Sequence, residues 1–175
     1  MCNCVFDSAL DLAQYIIQRT SDNQKPVSNL VMQYMLYMCQ HYFLCRDSHH
    51  AKCAFPEAIC VFNFGPAVPV VYYYYCGYGS MPISVRKKKG STDRYPSEAA
   101  ELDDLIDRMA NMEVWELASL VMSADSPWHE ILEDYKSKQV PGYSDRLEMN
   151  SIEIPVSKIK NHVTVDRICE SSPSA

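Results

Sequence analysis

The chain has 175 residues, 47% of them hydrophobic, with 16 Lys and Arg against 22 Asp and Glu and a formal net charge of −6. That length suits one domain with a real core, and the acidic balance argues against broad nucleic-acid binding, which depends on Lys and Arg neutralising phosphates. The first residues lack a basic stretch followed by an apolar run, and no segment supplies about 20 apolar residues in a row, so a cytosolic protein away from membranes is expected.

In chain order, Phe6, Ala9, Leu10, Ala13, Ile16 and Ile17 recur at helical spacing. With Asp7 or Ser8 as cap and Asp11 near the positive end of the dipole, a first amphipathic helix is predicted up to about Thr20. The polar turn 21–25 leads to Pro26, and a second helix is predicted from Ser28, whose side chain can accept a first-turn N–H. Nothing between Asn29 and Arg46 breaks it. So short a connection favours antiparallel packing of the two helices. On a helical wheel Val31, Met35, Met38, Tyr42 and Cys45 share one side, while Asn29, Gln33, Tyr37 and Gln40 cluster on another, and most of this helix is predicted to be buried. A buried amide without a partner costs about 1–3 kcal/mol. Gln33 and Gln40 therefore mark a polar seam that either ties down a neighbouring loop or faces a partner groove.

Residues 47–52 are polar and loop-like, and 58–64 are rich in strand formers. Gly65 and Pro66 are expected to stop that strand, because Pro66 lacks a donor and Gly65 permits a turn. The tyrosines at 72–75 and the turn residues at 77–82 then read as a tight, aromatic-walled corner. The basic run 86–89 reads as a solvated surface loop. Ser97 is the expected cap of a helix with Glu98 and Glu101 in its first turn and Leu102, Leu105, Ile106 and Met109 inward. Trp115, Leu117, Ala118, Val121 and Met122 serve the next helix. Ser126-Pro127 opens another, with Trp128, Ile131, Leu132 and Tyr135 on its apolar face. Residues 139–145 form a loop, Ile152 to Ile154 alternate briefly, and Pro155, Val156, Ile159 and Val163 suggest a last short helix. The tail 164–175 has little to pack and is expected to be disordered. The whole reads as a mainly α (α+β) fold, one domain over 1–163, built around one buried central helix with one or two short β-strands.

Chemistry is sparse. The eight cysteines are unevenly spaced and mostly lie in apolar runs, where a thiol behaves as a small hydrophobe, so they read as reduced and buried. Cys45, His49, His50 and Cys53 are the one candidate metal cluster, but their spacing matches no standard zinc site, and a surface loop with incidental histidines is expected there. A thiol nucleophile needs a base beside it, and the sequence does not pair Cys39, Cys45 or Cys76 with His41 or His129. No nucleophile elbow or phosphate loop is present. The chain reads as a binding protein rather than an enzyme, with no cofactor, metal or small-molecule substrate expected.

Several ordered motifs carry a family resemblance. The stretch 26–40, PVSNLVMQYMLYMCQ, resembles the second helix of the Panacea domain, also called the SocA-like antitoxin domain and found in phage-associated GepA-like proteins. Phe64-Gly65-Pro66-Ala67-Val68-Pro69-Val70-Val71-Tyr72 is similar to that family's G-P-V-V-P-x-V-Y segment, and Gly77 to Ile83 to its Y-G-x-x-P-I. Trp115-Glu116-Leu117 and Ser126-Pro127-Trp128 fall where its later helices carry W-E-L and a P-W pair. The chain departs from the family at Val31 and at Tyr34 or Met35, where lysines are usual, at Phe62-Asn63, and at Met122, where a His is usual. The resemblance implies a mostly helical single domain that binds and neutralises a cognate toxin protein. For a binding protein of this kind the buried amides, the aromatic corner and the Tyr and Trp residues are the expected contact region, giving a partner-binding set of Asn29, Gln33, Tyr37 and Gln40, the corner residues Phe64, Gly65, Pro66, Pro69 and Tyr72, and Trp128, with Asn29, Gln33, Gln40 and the 65–72 corner expected to sit together. Two other readings remain: a DNA-binding regulator of its own operon using the basic run 86–89, and a Cys- or metal-dependent hydrolase.

Overall fold

Ser8 sets the first helix by accepting a hydrogen bond from the Asp11 N–H at 3.2 Å, and α1 spans Ala9–Asp22. Ser28 does the same for Val31, and α2 spans Asn29–Cys45. This computed structural model describes residues 3–46, 53–84, 96–139 and 149–162. The basic run 86–89, His49, His50 and the tail 164–175 lie outside the described residues.

Two short strands follow, β1 (Cys60–Phe62) and β2 (Gly65–Ala67). They pair antiparallel with Cys60 opposite Ala67, Val61 opposite Pro66 and Phe62 opposite Gly65. The Gly-Pro segment was expected to end the strand; instead it turns back and pairs with it. Gly65 takes a φ of +130° in doing so, a conformation that side chains disfavour. On the other edge of β1, Val61 donates to the Ile152 carbonyl at 2.9 Å and Ile154 to the Ile59 carbonyl at 2.7 Å. The alternation at 152–154 thus marks a chain segment that pairs with β1.

The tyrosine run is helical: α3 spans Pro69–Tyr74 with Pro69 in its first turn, and a 3₁₀ turn covers Cys76–Tyr78. Then come α4 (Pro96–Ala110), α5 (Val114–Val121), α6 (Pro127–Lys138) and α7 (Val156–Lys160). α4 begins at Pro96, so Ser97 lies within the helix rather than capping it. Proline suits a first helical position, whose N–H has no intrahelical partner in any case. α5 opens with a capping box between Glu113 and Glu116, and Ser126 caps α6 by accepting from the His129 N–H at 3.1 Å.

Packing makes α2 the axis, since α1, α3, α4, α5, α7 and β2 all lie against it. Being covered on nearly every side, it buries its polar residues with its apolar ones. Along the side shared by Val31, Met35, Met38, Tyr42 and Cys45, only Val31 and Tyr42 are half-buried and Cys45 exposed. One core joins α1, α2, α4, α5, α6 and α7, through residues such as Leu12, Ile16, Met35, Leu36, Ile106, Leu117, Leu132 and Ile159. Leu102, Leu105, Ile106 and Met109 face inward as predicted. Trp115 does not, being 69% exposed. It precedes Leu117 by two positions, about 200° round the helix, and so short a helix buries a single stripe.

At the rim of α1, Arg19 grips Asp107 with two nitrogens, at 2.9 and 2.5 Å, and Tyr15 donates to Asp103 at 2.6 Å. This fork fixes α1 against α4. Cys4 and Cys53 form a disulfide with Cα atoms 4.5 Å apart, which corrects the reading of all cysteines as reduced thiols. Val5 and Phe6 donate to the carbonyls of Cys53 and Ala54, each at 2.9 Å, and this backbone pairing brings the two sulfurs together. Cys39 and Cys60 are buried thiols, whereas Cys45 and Cys76 are exposed, a second correction. Cys53, being bonded to Cys4, is not available as a metal ligand, and among the described residues no group of three or more His, Cys, Asp or Glu could hold a metal ion. No described helix is long and apolar enough to cross a membrane.

Candidate functional site

The corner between β1 and α3 is built from inside by side chains of α2 and α6. Tyr34 donates its hydroxyl to the Phe64 carbonyl at 2.7 Å, and the Trp128 indole N–H donates to the Phe62 carbonyl at 2.7 Å. Together they pin the turn that joins the two strands. One helical turn along α2, Asn29 and Gln33 form a relay. The Val68 N–H donates to Gln33 Oε1 at 2.9 Å, Gln33 Nε2 donates to Asn29 Oδ1 at 3.0 Å, and Asn29 Nδ2 donates to the Tyr72 carbonyl at 2.9 Å. Val68 precedes α3 and Tyr72 lies in its last turn, so the relay satisfies groups that a helix leaves open at its ends. A six-residue helix is too short to stand alone. The two buried amides, with Val71 and Tyr75 in the core, hold it in place.

Gln40 works elsewhere. Its Oε1 accepts from Ala54 N–H at 2.8 Å and Phe55 N–H at 3.3 Å, and its Nε2 donates to the Phe55 carbonyl at 3.1 Å. It therefore ties down the segment next to the disulfide rather than the Gly-Pro corner. Tyr37 is also remote from the corner, its hydroxyl 3.1 Å from His162 Nδ1. Burial raises its pKa well above the ordinary phenol value, with a smaller contribution from nearby Cys45. Asn29, Gln33, Tyr37 and Gln40 are all buried, as are Gly65, Pro66 and Trp128. Phe64, Pro69 and Tyr72 are half-buried.

What the corner presents outward is α3. Val70, Tyr73 and Tyr74 are 44%, 51% and 64% exposed, and positions three and four apart share a helix face. Behind them the rings of Phe62, Phe64 and Tyr72 pack tilted or edge-on and Tyr72 meets Tyr73, with centroids 5.0 to 5.4 Å apart between Phe64 and Tyr72, Phe62 and Tyr72, and Tyr72 and Tyr73. Tyr75 turns inward, 4.9 Å from the Tyr74 ring, and burial lifts its phenol to about 12. An exposed apolar and aromatic stripe on a braced element suits contact with another macromolecule. The outward set, Val70, Tyr73 and Tyr74, was missed at the residue level because a run of tyrosines gives no helical period to read.

Gly65 is enclosed by Tyr34 of α2 and Met122 at the end of α5. A Cβ there would lie 2.8 Å from the Tyr34 ring and 3.3 Å from the Met122 sulfur. Met122 thus packs against the Gly-Pro turn. Comparison of the chain with protein families, with curated proteins and with solved structures finds no match.

Proposed function

We propose that this chain is an antitoxin-like protein that binds and neutralises a cognate toxin protein by direct contact, in the cytoplasm, with the outer face of α3 as part of the contact surface. The observation that carries the reading is the exposed stripe of Val70, Tyr73 and Tyr74 on a helix braced from within by Asn29 and Gln33. Tyrosine is enriched where binding energy concentrates, and a rigid support reduces the entropy lost on association. The ordered resemblance of 26–40, 64–72, 77–83, 115–117 and 126–128 to the Panacea domain supplies the partner class. In this reading Asn29, Gln33 and Trp128 act on the partner through the corner they hold, while Phe64, Pro69 and Tyr72 form its half-exposed edge. The protein acts by binding and not as an enzyme.

The test is co-expression of the gene encoded beside this one, with and without this chain. Growth arrest by the neighbour alone, relieved when the chain is co-expressed, is the expected result. A harmless neighbour, or arrest that persists although the chain is soluble, contradicts the reading.

A further inference from the structure

One buried donor at the end of α3 is left over. Tyr75, the residue that follows α3, is 2% exposed, and its hydroxyl is buried with no hydrogen-bond partner among the described residues. The other polar side chains that build the corner are bonded: the Tyr34 hydroxyl, the Trp128 indole and the amides of Asn29 and Gln33. A buried donor left unpaired bears the full loss of its hydration, so an acceptor brought to it gains more than one brought to a solvated donor. The hydroxyl also lies close beneath the surface. From 73 to 82 Tyr75 is the only buried residue: Tyr78 is half-buried and the others are exposed. The Tyr74 ring stands edge-on to the Tyr75 ring at 4.9 Å, and the Tyr78 ring lies tilted at 6.3 Å. Burial lifts the Tyr75 phenol to about 12, and the phenols of Tyr74 and Tyr78 add to the rise, which places both within electrostatic reach of it. The Tyr78 hydroxyl is itself engaged, donating to the Ser84 carbonyl at 2.7 Å. A Cβ added at Gly77 or Gly79 would meet nothing within 4 Å, so the turn after Tyr75 is open on its outer side.

We infer that the Tyr75 hydroxyl is a specificity-determining donor of the α3 surface, taking a neutral oxygen acceptor of the main-chain carbonyl type from the partner protein that docks on Tyr73 and Tyr74. The inference rests on the partner-binding reading. A phenol that titrates near 12 keeps its proton at neutral pH, so Tyr75 can donate. The acceptor is neutral because residues 58–84 contain no Asp, Glu, Lys, Arg or His. A carboxylate brought to this stretch would leave water and meet no cation in it, whereas a carbonyl loses far less hydration. Docking turns the exposed Tyr74 ring aside, a rotation that surface side chains make within nanoseconds, and the partner's carbonyl then accepts the Tyr75 O–H. A competing protein without an acceptor at that point seals the donor in unpaired, and is rejected for that reason.

The experiment compares the native full chain with Tyr75→Phe, which keeps the ring and removes only the oxygen, by urea unfolding and by calorimetric titration with the product of the neighbouring gene. In the free protein the urea midpoint of Tyr75→Phe is expected at or above the native one, because the variant sheds an unpaired donor. Its affinity for the partner is expected to fall about tenfold, since the partner's carbonyl is then buried unpaired. The ratio of native to variant affinity is expected to be the same at low and high salt. A midpoint below the native one shows that the hydroxyl already has a partner in the free protein and overturns the inference. Equal affinities of native and variant overturn it too. A ratio that shrinks as salt is raised assigns a carboxylate acceptor and overturns the neutral one. Failure of the partner-binding reading looks different: the native chain itself then does not bind the neighbouring product, and both readings fall.

Discussion

At the scale of single residues, the polar side chains of α2 do more to shape the outside of the protein than the inside. Gln33 and Asn29 fill no groove; they satisfy the open ends of α3 and so decide where Tyr73 and Tyr74 stand. That buried amides on this helix need partners was readable from the sequence, because leaving one unpaired costs about 1–3 kcal/mol. Which backbone atoms they meet was not, since Val68 lies 35 residues away and Phe55 lies 15 residues from Gln40. Gly65 is the most constrained position of the corner, combining a positive φ with two close neighbours. Gly65→Ala is expected to cost about 3 kcal/mol, read as a lower urea midpoint. A loss of about 0.5 kcal/mol or less, the range of ordinary surface changes, would mean that the corner yields easily and does not brace α3.

At the scale of elements, caps and stripes were legible and long-range closures were not. Ser28 and Ser126 cap the helices they were expected to cap and Ser8, one of the two candidates with Asp7, caps α1, because the signal is local, whereas Ser97 lies inside α4. The tyrosine-rich α3 gives no period, and Trp115 reads as inward because about two turns of a short helix do not show which stripe is buried. The Cys4–Cys53 bridge was hidden for another reason: it joins residues 49 apart, and only the pairing of 5–6 with 53–54 brings them together. That bridge, with Gln40 beside it, holds the start of the chain against the segment after α2. Replacing both cysteines by serine is expected to lower stability by about 2–4 kcal/mol, and reducing agent should lower the melting temperature of the native chain but not that of the double variant. Equal melting temperatures for native and double-variant chains in non-reducing buffer would contradict this role.

At the scale of the whole molecule, the fold is mainly α, with a small two-stranded sheet among the described residues, and its core contains acids held neutral by burial. Burial raises the Cys60 thiol from 9.0 to about 11, with a smaller push from Glu153, and the Tyr75 phenol from 10.0 to about 12. It also pushes Cys39 and Tyr37 upward. Each of these groups holds its proton more tightly folded than unfolded. Their contribution to stability is complete below the unfolded values and is lost as pH rises through the folded ones. The urea midpoint should therefore fall as pH is raised from about 9 to about 11, and fall less steeply in Cys60→Ala. A midpoint that holds or rises over that interval would show that these groups are not buried as described.

The proposed contact surface on α3 is tested most directly by calorimetric binding to the product of the neighbouring gene. Tyr73→Ser with Tyr74→Ser removes two exposed rings, so the melting temperature should be unchanged while affinity falls by about 2 kcal/mol or more, the range of dominant interface residues. Unchanged affinity in that folded double variant would contradict the claim.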